Sequence, residues 1–265
     1  MSKWSYLDEH YNKFNEDKRL LRRHGQVEFL TSMRYINKYI EIIRDNRDNK
    51  DIKILDIGAG TGGYSIPLDN MGYDVSAVEL VKYNVGILKS KNSNIKAYQG
   101  NALKLKKFEN DCFDIVLLFG PMYHLFAKED KVKALLEAKR VLKPGGVILV
   151  AYLMNDYSII RHGFMENFIS ECVKNNQVDE EFRVRNSEED LYDYITIMDI
   201  DELNEKAGLS RIQIIASTGP SNYIRAVLKG MDEETFGLYM KYHFSTCERM
   251  DLIGASSHTV DILGK

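Results

Sequence analysis

A short apolar stretch that runs directly into glycines constrains the fold of this chain more than any other feature. The stretch is Ile52-Lys53-Ile54-Leu55-Asp56-Ile57-Gly58-Ala59-Gly60-Thr61-Gly62-Gly63. Its first six residues are mostly apolar, which predicts a strand that is buried on both faces. The glycines predict a turn where the backbone adopts positive φ or where a ligand comes close. A helix that begins after this turn presents free N–H groups and the positive end of its dipole, so the sequence predicts a cofactor-binding loop.

Strands and helices alternate along the chain after this loop. The predicted strands that come after the first lie at 73–79, 95–99, 113–119, 147–153, 211–216 and 258–263, and helical patterns separate most of them. One more extended segment is expected at 191–198. Strands that alternate with helices form a parallel sheet with helices on both faces, so the sequence predicts a doubly wound α/β fold.

The segments outside this alternation predict the domain organisation. Residues 1–44 are expected to form a helical N-terminal cap, and residues 45–265 are expected to form one domain that carries the sheet. The alternation is interrupted at 155–190 and at 217–257, which we expect to be insertions with helical and irregular structure.

Composition argues against several classes of protein. A formal net charge of −3 gives no electrostatic footprint for a nucleic-acid backbone. The cysteines Cys112, Cys172 and Cys247 lack metal-ligand spacing, and their odd number is typical of free thiols in a reducing compartment. The first residues show no secretory signal, and the longest apolar run, 147–154, is too short to span a bilayer. We therefore expect a cytoplasmic protein with no membrane partner, and the sequence offers no metal ligands but leaves metal dependence open.

The glycine pattern alone leaves two cofactors open. Gly58, Gly60 and Gly63 also match the fingerprint of dinucleotide-binding folds, and Glu79 lies where a ribose-binding acid is expected. Asp56, two residues before the first glycine, discriminates between them. Its carboxylate would repel a pyrophosphate and attract an α-ammonium group.

A second loop offers groups to an adenine edge. Gly100-Asn101-Ala102 comes directly after the third strand and supplies a side-chain amide and a backbone N–H.

Several of these motifs together resemble the class I S-adenosylmethionine-dependent methyltransferases. The resemblance is carried by Leu55-Asp56-Ile57-Gly58-Ala59-Gly60-Thr61-Gly62, by Glu79, by Gly100-Asn101-Ala102 and by Leu142-Lys143-Pro144-Gly145-Gly146. It covers residues 50–155 strongly and residues 195–265 loosely. It implies a Rossmann-like seven-stranded sheet of order 3-2-1-4-5-7-6 with only strand seven antiparallel, and S-adenosylmethionine as the cofactor.

The resemblance also implies roles for individual residues. The loop of Gly58, Ala59 and Gly60 lets the methionine portion of the cofactor approach, and Glu79 binds both ribose hydroxyls. Asn101 and Ala102 hold the adenine, where many relatives have Asp in place of the Asn. Phe119 lies beside the methionine portion.

The acceptor is expected beyond the carboxyl ends of the strands, where ligands bind in open α/β sheets. The family topology then brings both insertions, 155–190 and 217–257, over the site as lids, together with the N-terminal helices. Methyl transfer to a weakly acidic acceptor needs a base, and His124 and His258 are the catalytic candidates. Tyr123 and His243 are candidate substrate-binding residues.

Two N-terminal residues complete the predicted site. Arg23, with its neighbours Arg22 and His24, is a candidate to bind the cofactor carboxylate or an acidic substrate. Tyr11 is a candidate to orient the acceptor or the cofactor.

The residues directly after the fourth strand narrow the acceptor class. Gly120-Pro121-Met122-Tyr123-His124 lacks the Asn-Pro-Pro-Tyr signature of amino-group methylation on bases and glutamine, and resembles small-molecule methyltransferases. The leading hypothesis is O- or N-methylation of a small metabolite. The alternatives are an RNA or protein methyltransferase, a non-catalytic S-adenosylmethionine-binding protein and, more remotely, a nicotinamide-dependent dehydrogenase.

Overall fold

The computed structural model of the chain describes Leu20, residues 22–187 and residues 190–265, and its central feature is one seven-stranded sheet. The strands are β1 (Lys53–Ile57), β2 (Asp74–Glu79), β3 (Lys96–Gln99), β4 (Phe113–Leu118), β5 (Leu142–Leu153), β6 (Ser210–Ala216) and β7 (His258–Gly264). Their spatial order is β3-β2-β1-β4-β5-β7-β6. Only β7 runs antiparallel to its neighbours, β5 and β6. The predicted order and the antiparallel last strand are confirmed.

Helices cover both faces of this sheet. They are α1 (Arg23–Ile43), α2 (Ser65–Asn70), α3 (Lys82–Lys91), α4 (Lys128–Val141), α5 (Asn155–Ser158), α6 (Ile169–Lys174), α7 (Ile197–Ala207), α8 (Arg225–Gly230), α9 (Glu233–Thr246) and α10 (Met250–Ile253), with a π-helical turn at Ile159–Met165. Among the residues described, no helix combines the length and the apolar character that crossing a bilayer requires.

Alternate residues of β1 enter two different apolar cores, because successive side chains of a strand point to opposite faces. Leu55 and Ile57 pack in a core with α4 and α7, whereas Ile54 packs in a core with α1 and α3. The N-terminal helix α1 therefore packs directly on the sheet through residues such as Ile36 and Ile40, both fully buried.

Three predicted elements differ from the structure. Strand β5 begins at Leu142 rather than at 147, and helix α2, which the sequence predicts to start at about Gly62, begins at Ser65. Residues 191–198 are not a strand: Ile195 forms one bridge to Met154, and α7 starts at Ile197. The signal for this helix start is a capping box, in which the Thr196 and Asp199 side chains each accept a hydrogen bond from the other residue's backbone N–H.

A buried carboxylate fixes strand β7 in the sheet. Asp261 is completely buried and accepts hydrogen bonds from Arg211 Nε at 2.6 Å and from Asn204 Nδ2 at 2.6 Å. Breaking a buried ion pair of this kind is costly, because it leaves a charge without compensation. The first residue of the strand, His258, is thereby held opposite Leu153 at the carboxyl end of β5.

Candidate active site

One cavity lies at the carboxyl ends of β1, β2 and β4, and β5, β7 and helix α1 also contribute to its wall. It brings together most of the predicted site residues. Those that line it are Asp56, Gly58, Ala59, Gly60, Glu79, Asn101, Ala102, Phe119, Tyr123, His124 and His258. Segments that are more than two hundred positions apart in the chain meet here, since Glu28 and Val260 line the same cavity.

The glycines of the first loop have different roles, although the resemblance assigned the same role to Gly58 and Gly60. Gly58 has φ +83°, and a Cβ there would lie 2.5 Å from Pro121 Cδ and 2.7 Å from the Phe119 carbonyl oxygen. Gly60 has φ +54°, and no heavy atom of the described residues lies within 4 Å of a Cβ built there. Gly58 is thus required for packing against the turn after β4, and Gly60 leaves the open space beside the cavity.

Glu79 at the end of β2 holds this loop in place. Its Oε2 accepts a hydrogen bond from the Gly60 N–H at 2.9 Å, and its Oε1 accepts one from the Val81 N–H at 2.8 Å. The side chain is 8% exposed, and burial raises the pKa of its carboxyl, partly offset by these backbone N–H groups. A carboxylate has about four acceptor positions, and the Asn84 side chain also donates to this one, so Glu79 is held firmly at the cavity wall.

Asp56 presents an unsatisfied acceptor at the end of β1. Its Oδ2 accepts a hydrogen bond from Ser65 Oγ at 2.5 Å, whereas its buried Oδ1 has no hydrogen-bond partner among the described residues. Burial raises the pKa of this carboxyl to about 6, although the hydrogen bond from Ser65 lowers it. Buried polar atoms in native proteins are nearly always paired, so an orphaned oxygen in a cavity wall indicates a position for a donor such as an ammonium group.

Another part of the cavity wall combines amide and aromatic groups. The Asn101 side-chain oxygen accepts from the Leu103 N–H at 2.9 Å, which fixes the turn and still leaves one lone pair. Ala102 is 8% exposed beside it. Phe119 meets the edge of the Tyr64 ring at a centroid distance of 5.0 Å. Tyr64 also lines the cavity, although its sequence context did not single it out.

Two histidines and a tyrosine form a separate group in the same cavity. The Tyr123 and His258 rings meet edge to face with centroids 5.6 Å apart. His124 Nδ1 lies 2.8 Å from the Leu191 carbonyl oxygen, and His258 Nδ1 lies 3.8 Å from Glu28 Oε2. This group offers imidazole nitrogens close to aromatic surface.

Helix α1 supplies two residues that were not predicted to belong to the site. Glu28 and Ser32 lie one helical turn apart, line the cavity and are buried. The available signal was a charged side chain next to Val27, on the apolar face of an amphipathic helix, where a carboxylate is rarely buried unless it is paired.

Three predicted site residues are not among the described residues that line this cavity. Arg23 forms a bidentate pair with Glu233 of α9, and its guanidinium lies 4.4 Å from the centre of the Phe236 ring. His243 is completely buried, stacks on Tyr239, and has its pKa lowered to about 4 by burial. Tyr11 lies outside the described residues.

The two insertions contribute less to the cavity than expected. Of 217–257 only Ser217 lines it, and none of the described residues of 155–190 does. The latter segment borders a different, polar pocket, where Asn155 and Arg183 lie near the buried ion pair of Lys131 and Asp193. The topology fixes where these insertions leave the sheet, but it does not fix the direction in which they fold. Ser256 and Ser257, which directly precede His258, are buried and are not part of its lining.

Residues 55–150 match a family model described as a methyltransferase domain. The matched range begins in β1 and ends in β5, so it contains the glycine loop, Glu79, Asn101 and the turn after β4. This part of the chain is a methyltransferase domain, and its motifs and strand order are those of the class I S-adenosylmethionine-dependent methyltransferases. S-adenosylmethionine is the cofactor of this family, and the orphaned Asp56 oxygen and the open space at Gly60 fit its amino-acid portion.

Individual curated relatives match only part of the length of this chain. A demethylmenaquinone methyltransferase from Staphylococcus aureus is 33% identical over 115 residues, which are 41% of this chain and 46% of that protein. A glycine/sarcosine N-methyltransferase from Aphanothece halophytica is 31% identical over 104 residues, 37% of this chain and 39% of that protein. The chain thus aligns with less than half the length of these curated relatives.

Solved structures extend the likeness to nearly the whole fold. A possible histamine N-methyltransferase from Thermotoga maritima has a TM-score of 0.56 at 17% identity, with 98% of each chain covered. The CcbJ methyltransferase from Streptomyces caelestis has a TM-score of 0.56 at 15% identity, with 97% of this chain and 95% of that one covered. At such identities the likeness concerns the fold alone.

Proposed function

We propose that this chain transfers the methyl group of S-adenosylmethionine to a nitrogen or oxygen atom of a small molecule. The observation that carries the proposal is the buried, orphaned Oδ1 of Asp56, which shares one cavity with Glu79 and with two histidines. A non-catalytic S-adenosylmethionine-binding protein needs Asp56 and Glu79 but not the two histidines. The histidines add groups that can accept a proton from an acceptor.

Each part of the cofactor has a matching group in the cavity wall. In this proposal Asp56 binds the α-ammonium group, Glu79 binds the ribose hydroxyls, and Asn101 with Ala102 binds the adenine. Phe119 packs beside the methionine portion. The cofactor supplies an electrophilic methyl group on a sulfonium, and the chain contributes binding, orientation and exclusion of water.

The acceptor side of the cavity favours a small molecule. None of the described lining residues is Lys or Arg, which are the residues that neutralise a nucleic-acid backbone. The names of the relatives, a demethylmenaquinone methyltransferase and a glycine/sarcosine N-methyltransferase, also denote enzymes of small acceptors. His124 and His258 are the proposed proton acceptors, and Tyr123 is proposed to contact the substrate.

Calorimetric titration of the purified chain tests the cofactor assignment. S-adenosylmethionine is expected to bind and NAD is not. Glu79→Ala should weaken S-adenosylmethionine binding by about 3 kcal/mol, or roughly a hundredfold, since it removes hydrogen bonds to a charged acceptor and releases the Gly60 N–H. Tyr83→Ala, an exposed change on α3 outside the cavity lining, is the control and should leave binding unchanged. Binding of NAD without binding of S-adenosylmethionine would contradict the proposal.

A further inference from the structure

We infer that Glu28 and His258 form a proton-accepting pair for an amine acceptor, in which Glu28 orients the imidazole and His258 receives the proton. The inference rests on the proposed methyltransferase function and assigns that function its substrate class. Glu28 is a positioning residue in this assignment, because it acts through His258.

The two side chains meet across the cavity from distant parts of the chain. Glu28 lies on α1 and His258 opens β7, and Glu28 Oε2 is 3.8 Å from His258 Nδ1. Their side chains are 9% and 14% exposed, so water screens the pair only weakly. The 3.8 Å distance exceeds that of a hydrogen bond, so the carboxylate acts through its charge, which favours the tautomer with the proton on Nδ1 and leaves Nε2 for proton transfer.

A backbone hydrogen bond and a ring contact restrict the position of His258 more than solvent restricts a surface histidine. The Ser217 hydroxyl donates to the His258 carbonyl oxygen at 3.0 Å, and the Tyr123 ring packs against the imidazole. His124, the other histidine of the cavity, has its Nδ1 on the backbone carbonyl of Leu191. The Glu28 carboxylate near Nδ1 of His258 can stabilise an imidazolium at that ring, so we assign His258 as the proton acceptor.

The charges in the cavity wall select the acceptor class. Glu28, Asp56 and Glu79 are acidic, and the described part of the lining contributes no Lys or Arg. Asp56 and Glu79 are assigned to the cofactor, and among the described lining residues Glu28 is the remaining carboxylate. A carboxylate in a site of low dielectric attracts an ammonium ion and repels a carboxylate or a phosphate.

This placement determines the proton and electron balance of the step. The bound ammonium gives one proton to Nε2 of His258, and its nitrogen regains a lone pair. That lone pair forms the new N–C bond while the methyl–sulfur bond breaks and leaves its electron pair on sulfur. The product is the N-methylated ammonium, and the Glu28 carboxylate stabilises the imidazolium until its proton passes to water.

A ring-nitrogen NMR experiment tests the pair without any acceptor. The chain is labelled with ¹⁵N-histidine, and the His258 signals are identified by their loss in His258→Gln. We expect Nδ1 protonated and Nε2 unprotonated at pH 8, a shift toward the other tautomer in Glu28→Gln, and the wild-type pattern in Glu28→Asp. Glu41→Gln, an exposed carboxylate farther along α1 and outside the described cavity lining, is the matched control. His258 signals that do not respond to Glu28→Gln, in a variant with a normal unfolding transition, would overturn the assignment.

Transfer from [methyl-¹³C]S-adenosylmethionine to a defined mixture of primary amines, phenols and carboxylic acids tests the substrate class. We expect label on nitrogen, with a kcat at least tenfold lower in Glu28→Gln and an unchanged KM for S-adenosylmethionine. Label on oxygen only, or no labelled amine from a chain that binds the cofactor, refutes the amine assignment and leaves the methyltransferase proposal standing. A chain that does not bind S-adenosylmethionine in the calorimeter removes the proposed function itself.

Discussion

The buried Asp56 carboxylate lowers the free energy of unfolding at neutral pH, although we propose that it binds the cofactor. Burial raises the pKa of its carboxyl to about 6 from an ordinary value of 3.8. Between these two pH values the folded chain holds a proton that the unfolded chain has released. The free energy of unfolding therefore falls as the pH rises through this window, and above about pH 6 the loss is complete.

Asp56→Asn should remove this dependence. A difference of about two pH units corresponds to roughly 3 kcal/mol, so the variant should be up to about 3 kcal/mol more stable than the wild type at pH 7 and equal to it near pH 4. Its affinity for S-adenosylmethionine should fall, because an amide does not attract an ammonium group. Urea unfolding between pH 4 and 8 measures the first effect and calorimetry measures the second. A variant with the wild-type pH slope, or with undiminished affinity, would contradict the role given to Asp56.

Single residues also show how far the sequence predicts the site. Asp56, Glu79 and Asn101 each lie at or just beyond the end of a strand, so their places at the carboxyl edge could be predicted from the pattern alone. Glu28 could not, because its position depends on how helix α1 packs on the sheet. Arg23 pairs with Glu233, more than two hundred residues away, and no local pattern indicates such a pair.

At the scale of elements, two glycines of the turn between β1 and α2 have different roles: Gly58 is required for packing, and Gly60 leaves space for a ligand. The Cβ added by Gly58→Ala would meet the Pro121 ring and a backbone oxygen, which cannot move cheaply. Overpacking and the positive φ together should lower the free energy of unfolding by about 2–5 kcal/mol. Gly60→Ala meets open space, so it should cost only about 1–2 kcal/mol through its φ but should weaken S-adenosylhomocysteine binding.

Gly86→Ala is the matched control for both substitutions. Gly86 lies within α3, where a Cβ has no neighbour among the described residues within 4 Å, and alanine there should stabilise the chain by about 0.5–1 kcal/mol. Urea unfolding and calorimetry of the three variants give the comparison. Equal stability losses in Gly58→Ala and Gly60→Ala would show that the turn does not divide its roles in this way.

The alternation of apolar strands and amphipathic helices predicted the elements between 52 and 153 well, since each is a local pattern. The segment 155–190 is different. The sequence and the topology indicated where it leaves the sheet, and the structure shows that it turns toward the polar pocket beside Lys131 and Asp193. Side-chain contacts that form only after folding, such as the bond from the Asn155 side chain to the Phe182 carbonyl, decide that direction.

At the scale of the whole molecule, the cavity joins elements that span most of the chain. Helix α1, strands β1, β2 and β4, and the start of β7 all contribute to its wall. A ligand in this cavity bonds to several elements at once and binds only when all of them are in place. The free energy of binding is then added to the free energy of unfolding of the chain.

S-adenosylhomocysteine at one hundred times its measured Kd should therefore stabilise the chain by about 2.7 kcal/mol. For a chain of this length that corresponds to a rise in Tm of about 5–10 °C. Differential scanning calorimetry at several ligand concentrations should give a Tm that increases with the logarithm of concentration, and NAD at the same concentrations should give no increase. The rise should reappear in Glu79→Ala only at about a hundredfold higher ligand concentration. An unchanged Tm at saturating S-adenosylhomocysteine would exclude a cofactor site that depends on the folded arrangement of these elements.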